Sequence, residues 1–98
     1  MLMLDMENYE EFCKLFKGKE EENSIFVGEM THFMQDGSAR KSISLTSKFT
    51  NTEEDIIIVF EEQLIEWSQK GLEEKKQKYI DELHKKGFTV YRGVWRAF

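Results

Sequence analysis

The sequence predicts a small α+β domain of order α-β-β-α-α-β, with a mainly antiparallel three-stranded sheet packed on a central amphipathic helix. Three observations carry this expectation. Asp36-Gly37 separates two strand-like runs, the strongest short hairpin signal. Ile56, Ile57, Phe60, Leu64 and Trp67 recur at helical spacing behind the capping residue Thr52 and ahead of a stop at Lys70-Gly71. Phe88, Val90, Val94 and Phe98 alternate along the end of the chain, as a third strand over 88–98 requires.

Residues 1–7 are a short lead-in whose Leu and Met side chains either pack on the core or form an edge strand. Asn8 and Glu11 have capping-box spacing, and Tyr9, Phe12, Cys13 and Phe16 share one helical face, so 9–17 reads as a helix ended by Gly18. Lys19 to Asn23 is a charged loop. Ser24 to Gln35 and Ala39 to Phe49 are the hairpin strands. A two-residue turn at Asp36-Gly37 pairs positions summing to 73, so Met34 faces Ala39 and Met30 faces Ile43. That register gathers Phe26, Met30, Met34, Ile43, Leu45 and Phe49 on one face. It puts Arg40, Ser42, Ser44, Thr46 and Lys48 on the other, together with Ile25, Val27 and Phe33.

Thr52 caps the central helix, with Asn51 and Glu54 as an alternative start, and Glu53, Glu54 and Asp55 suit the positive end of its dipole. Gly71 at C′ leaves Trp67 to meet Leu72. The apolar stripe shifts by about 100° beyond Gly71, so a kink or turn there precedes a second helix to Lys86. That helix ends in the same way, with Gly87 at C′, Leu83 at C3 and Phe88 at C″. Tyr91 and Trp95 fall on the side opposite Val90, and Gly93 marks a bulge that re-aims them.

A chain of 98 residues reads as one domain, 1–98, with a modest core. Charged residues at 34% and hydrophobic ones at 40% are globular rather than disordered composition. The single Cys13 cannot form an internal disulfide, the start lacks the basic lead of a signal peptide, and no apolar run would span a bilayer. The expectation is a cytoplasmic protein. The net charge of −5 is segregated. Residues 50–74 carry eight acids against one Lys, and residues 75–98 carry seven basic residues against two acids.

Cys13 lies on an apolar helix face, where a lone cysteine is core. His32 reads as a satisfied strand histidine, and His84 suits the last turn of its helix. Two histidines without a close His or Cys partner make no zinc site, and no phosphate loop or H-E-x-x-H motif is present. Adjacent exposed glutamates do not offer the contrasted environments of carboxylate catalysis. A protein without enzymatic activity, cofactor or metal is expected.

The first binding reading is a protein-binding module, an inhibitor or adaptor, whose acidic helix surface (Glu54, Asp55, Glu61, Glu62, Glu66 and Glu73) meets a basic partner. Small size, Lys/Glu/Ile richness and the lack of catalytic motifs are similar in style to the small proteins that bacteriophages direct at host machinery, anti-CRISPR proteins included. No motif carries that similarity, and it names no family. A homodimer through a sheet edge or an exposed Trp95 fits equally. The alternative is a single-stranded nucleic-acid or RNA-binding module. It would use Phe33, Arg40, Lys48, Tyr91, Arg92, Trp95 and Arg96 as stacking and phosphate-binding groups on an open sheet.

Overall fold

The computed structural model describes residues 2–50 and 55–93, with side chains placed over 3–48 and 55–93. Five strands, β1 (Leu2–Met6), β2 (Ser24–Phe33), β3 (Ala39–Thr50), β4 (Asp55–Leu64) and β5 (Thr89–Arg92), form one mixed sheet of order β1-β4-β3-β2-β5. Helices α1 (Tyr9–Lys14) and α2 (Gln69–Lys85) complete a small α+β domain. β2–β3 and β3–β4 are antiparallel, whereas β1 runs parallel to β4 and β5 parallel to β2.

The largest departure from the sequence expectation is β4. The segment read as the central helix is a ten-residue strand. Ile56, Ile57, Ile58 and Val59 are four consecutive β-branched residues, which lose side-chain freedom in a helix and fit a pleated surface. At period two, Ile56, Ile58, Phe60 and Leu64 all join or border the core. The sheet therefore has five mixed strands rather than three antiparallel ones. The predicted caps at Asn51 and Thr52 fall outside the described residues.

The helix after β4 begins at Ser68, whose hydroxyl accepts the Gly71 N–H at 3.0 Å. Gly71 is thus the third residue of α2 and not a terminator. The other end matches expectation. Gly87 has φ +100°, its N–H donates to His84 C=O, and the Phe88 N–H donates to Leu83 C=O. These are the two bonds of a Schellman motif, and Leu83 and Phe88 are both buried. At the start of α1, Asn8 Oδ1 accepts the N–H groups of Glu10 and Glu11, as its spacing predicted, but the helix ends at Lys14 instead of running over 9–17 to Gly18. The lead-in is the edge strand β1.

The hairpin forms where expected, in a register shifted by one. Phe26 aligns with Thr46 and Phe33 with Ala39. The turn is a three-residue loop: the Met34 N–H donates to Ser38 C=O and the Gly37 N–H to Met34 C=O. In the turn Gly37 alone takes positive φ, and Asp36 keeps a negative φ with Oδ1 accepting the Ser38 N–H and hydroxyl. A two-residue turn would have required positive φ at Asp36 as well. The slip exchanges the faces of β2, so Ile25 and Val27, not Phe26 and Met30, share the core side with Ile43 and Leu45.

Both helices lie on that side. β1–α1–β2 and β4–α2–β5 join parallel strands and move across the sheet in the same direction, so right-handed crossovers bring both helices to one face. Phe12 and Phe16 of α1, Leu72, Ile80 and Leu83 of α2, and Phe88 pack there against Ile25, Val27, Ile43, Leu45, Ile58 and Phe60. No described helix covers the opposite face. The third predicted strand survives as β5, and its remainder over 94–98 lies outside the described residues.

Candidate functional site

The strand at 55–64 dissolves the predicted acidic helix face. Asp55, at the start of β4, pairs with Lys48 at 3.3 Å. Glu62 points to the helix side, where it accepts the Tyr79 hydroxyl at 2.6 Å and pairs with Lys75 at 2.8 Å. Glu73 belongs to α2 and binds Lys76 and Arg92. Glu66 is exposed in the turn after β4. Glu61 points to the helix-free face, and Glu54 lies outside the described residues.

The aromatic and basic set is divided too. Arg40, Lys48 and Tyr91 stand on the helix-free face by strand alternation, with Tyr91 stacked on Phe26 at 5.3 Å between ring centres. Phe33 and Arg92 belong to the other side, and Arg92 is held by Glu73 and by Gln77 at 2.5 Å. Trp95 and Arg96 lie outside the described residues.

The helix-free face brings together a serine, a histidine and a carboxylate that the sequence reading did not connect. The Ser42 hydroxyl donates to Glu61 Oε1 at 2.5 Å, and His32 Nε2 meets that same oxygen. Ser42 Oγ is 3.4 Å from His32 Nε2. Burial pushes the Glu61 carboxyl upward, but the hydrogen bonds from Ser42 and His32 and the charge of the imidazole outweigh it and hold the carboxyl below its usual range. A nucleophilic serine needs its proton aimed at a base that is itself oriented by a third group. Here both donors converge on one oxygen, and Ser42 is fully buried. The cluster cross-links β2, β3 and β4 and offers no accessible nucleophile. Among the described residues no group of three His, Cys, Asp or Glu could hold a metal ion. None of the described helices is long and apolar enough to cross a membrane.

The most unusual surface lies at one end of the sheet, where β2, β3 and β4 run past α2. Phe33 is 83% exposed and Ile65 86%, with Met34 and Trp67 about half as much. Thr31 aligns with Lys41, and Lys41 with Leu64. At about 4.8 Å per strand and 3.4 Å per residue, the backbones of Phe33 and Leu64 are roughly 12 Å apart. Lys41 bridges the gap, with Nζ 2.6 Å from Thr31 Oγ1 and 5.7 Å from the centre of the Trp67 ring. This cation–π contact leaves one side of the indole open. At about 200 Å² per large side chain, the four residues present roughly 500 Å² of apolar surface. That is near the upper end for the largest patch of a monomer, where patches are commonly functional.

Of the predicted site residues, the tip gathers Phe33 from one set and Glu66 from the other. Ile65, Trp67 and Met34 were missed. At helical period Trp67 belongs to the apolar stripe of a helix, and only a strand ending at Leu64 carries Ile65 and Trp67 out beyond the sheet. Comparison of the chain with protein-family models, curated proteins and solved structures found no match.

Proposed function

We propose that this protein is a small, non-enzymatic protein-binding module, an inhibitor or adaptor, that engages its partner with the apolar tip formed by Phe33, Met34, Ile65 and Trp67. The observation that carries this reading is the near-complete exposure of Phe33 and Ile65 in a chain that buries Phe12, Phe16 and Leu45 completely. Aromatic and large apolar side chains at the centre of a contact dominate its energy. Removing roughly 500 Å² of apolar surface from water is worth about 12 kcal/mol before the costs of association. The partner that fits these exposed side chains presents a complementary apolar pocket. Glu66, Arg40 and Lys70 around it supply a mixed polar rim. The net charge of −5 acts on encounter at longer range rather than forming the contact. In the nucleic-acid alternative, Tyr91, Arg40 and Lys48 on the helix-free face form the binding surface without Phe33 and Arg92.

The test is affinity capture from source-cell lysate after nuclease treatment. Wild type is compared with Phe33→Ser/Ile65→Ser and with Tyr91→Ala. A stoichiometric protein retained by wild type and by Tyr91→Ala, but lost by the tip variant, supports the tip. Equal retention by the tip variant removes it. Material lost to nuclease or to Tyr91→Ala favours the nucleic-acid alternative.

A further inference from the structure

We propose that the free edge of β1, with the adjoining flank of α1, joins two copies of this chain. β1 is the outermost strand on its side of the sheet, so one row of its backbone groups has no strand partner among the described residues. Such an edge templates another strand unless charge, proline or a bulge protects it. Leu2–Met6 has no proline and one charge, Asp5. Met3 is 67% and Leu4 46% exposed. Leu4 aligns with Ile58 and so points to the helix side. Leu15, also exposed, lies about 160° around α1 from Cys13. Cys13 lines a groove against Lys86 and Phe88 at the end of α2. Leu15 therefore occupies the opposite flank of α1, on the β1 side, which is also the side of the sheet to which Leu4 points.

The occupant that fits this edge is a second copy. A two-fold axis normal to the sheet, with β1 antiparallel to its mate about Leu4, sets Leu4 against Leu4 and Met3 against Asp5. No two carboxylates of the strands then face each other. Both pairs of helices fall on one side, and each Leu15 flanks the leucine pair. A peptide partner would satisfy the backbone edge but leave Leu15 uncovered. Met3, Leu4 and Leu15 with the strand edge bury on the order of 500 Å² per copy, the lower limit for a specific interface, so the dimer is of micromolar rather than nanomolar strength. Glu11, one turn before Leu15 on the same flank, brings like charge near the axis, and salt therefore tightens the dimer. The two tips point to opposite ends of the continuous sheet, which separates this contact from the proposed tip contact.

Sedimentation equilibrium of the full chain over about 1 to 500 μM tests the proposal. The expected result is a monomer–dimer equilibrium that tightens with salt and weakens about tenfold or more, near 1.4 kcal/mol, in Leu15→Lys and in Leu4→Lys. Ile65→Lys should dimerise as wild type does. Leu15→Lys changes an exposed helix residue, so it remains informative if Leu4→Lys fails to fold. A monomer throughout the range would overturn the proposal. Wild-type dimerisation by Leu15→Lys, or loss of the dimer in Ile65→Lys alone, would also overturn it.

Discussion

Replacing Gly71 by alanine distinguishes two descriptions of the middle of the chain. Were Gly71 the left-handed terminator of a helix over 52–71, a β-carbon there would cost about 1–2 kcal/mol. In the structure Gly71 is the third residue of α2, is not among the positive-φ glycines, and donates its N–H to Ser68 Oγ at 3.0 Å. Alanine then gains up to about 1 kcal/mol of intrinsic helix preference. Against this gain, the new β-carbon would lie 3.1 Å from Ser68 Oγ, a few tenths of an ångström too close. The hydroxyl can retreat only by lengthening the capping bond, itself worth about 1 kcal/mol. The two effects nearly cancel, and Gly71→Ala should change stability by less than about 0.5 kcal/mol. Ser68→Ala alone should cost about 1 kcal/mol. In that background the obstruction is gone, and Gly71→Ala should restore roughly 0.5–1 kcal/mol. The cycle is read by urea denaturation followed by circular dichroism. A loss above about 1 kcal/mol for Gly71→Ala in both backgrounds, a drop of about 4–8 °C in Tm, would refute a helix that starts at Ser68.

Gly87→Ala should lose about 1–2 kcal/mol, because φ is +100° there while the nearest side-chain atom, Glu20 Cβ, leaves room at 3.7 Å. Equal stability of that variant in a melt would contradict the Schellman end. Glu61 and Glu62 have carboxyls held below their usual range, so their contribution is present above the unfolded value near pH 4.3 and is lost as pH falls through the lower folded value. Glu61→Gln should therefore flatten the acid side of a stability–pH curve; an unchanged slope would mean the Ser42–His32–Glu61 cluster is not formed. Leu45→Ala, in the fully buried core, should cost about 2–5 kcal/mol, whereas Ile65→Ala should stay within about 0.5 kcal/mol. A comparable loss at Ile65 in urea melts would mean that the tip is not exposed.

What the sequence conveyed was local chemistry. The Asn8 cap and the Gly87 end are each settled within about six residues, and both appear as read. The hairpin shows where such reading stops. Asp36-Gly37 marks the turn, but its type rests on the bond from Ser38 to the Asp36 side chain, and the one-residue difference exchanges Phe26 and Met30 for Ile25 and Val27. In β4 the ambiguity is of period. Ile56, Ile57, Phe60 and Leu64 satisfy a helix, and Ile56, Ile58, Phe60 and Leu64 satisfy a strand. The β-branched run decides for the strand, and with it the acidic residues disperse to both faces.

The exposure of the tip follows from element lengths rather than from any residue pattern. β3 has twelve residues, about 40 Å of strand, and α2 has seventeen, about 25 Å of helix. Even laid along the strands, α2 falls short by roughly four strand residues, about the reach from Leu64 to Trp67 or from Met30 to Phe33. Where the shortfall appears is fixed by Ser68. Its extended backbone and its bond to the Gly71 N–H start the helix there, whereas a start one turn earlier would wind Ile65 and Trp67 into α2. The cap that stabilises the helix is thus also what keeps the apolar end of the sheet bare. Weakening it should alter tip contacts without touching a tip residue.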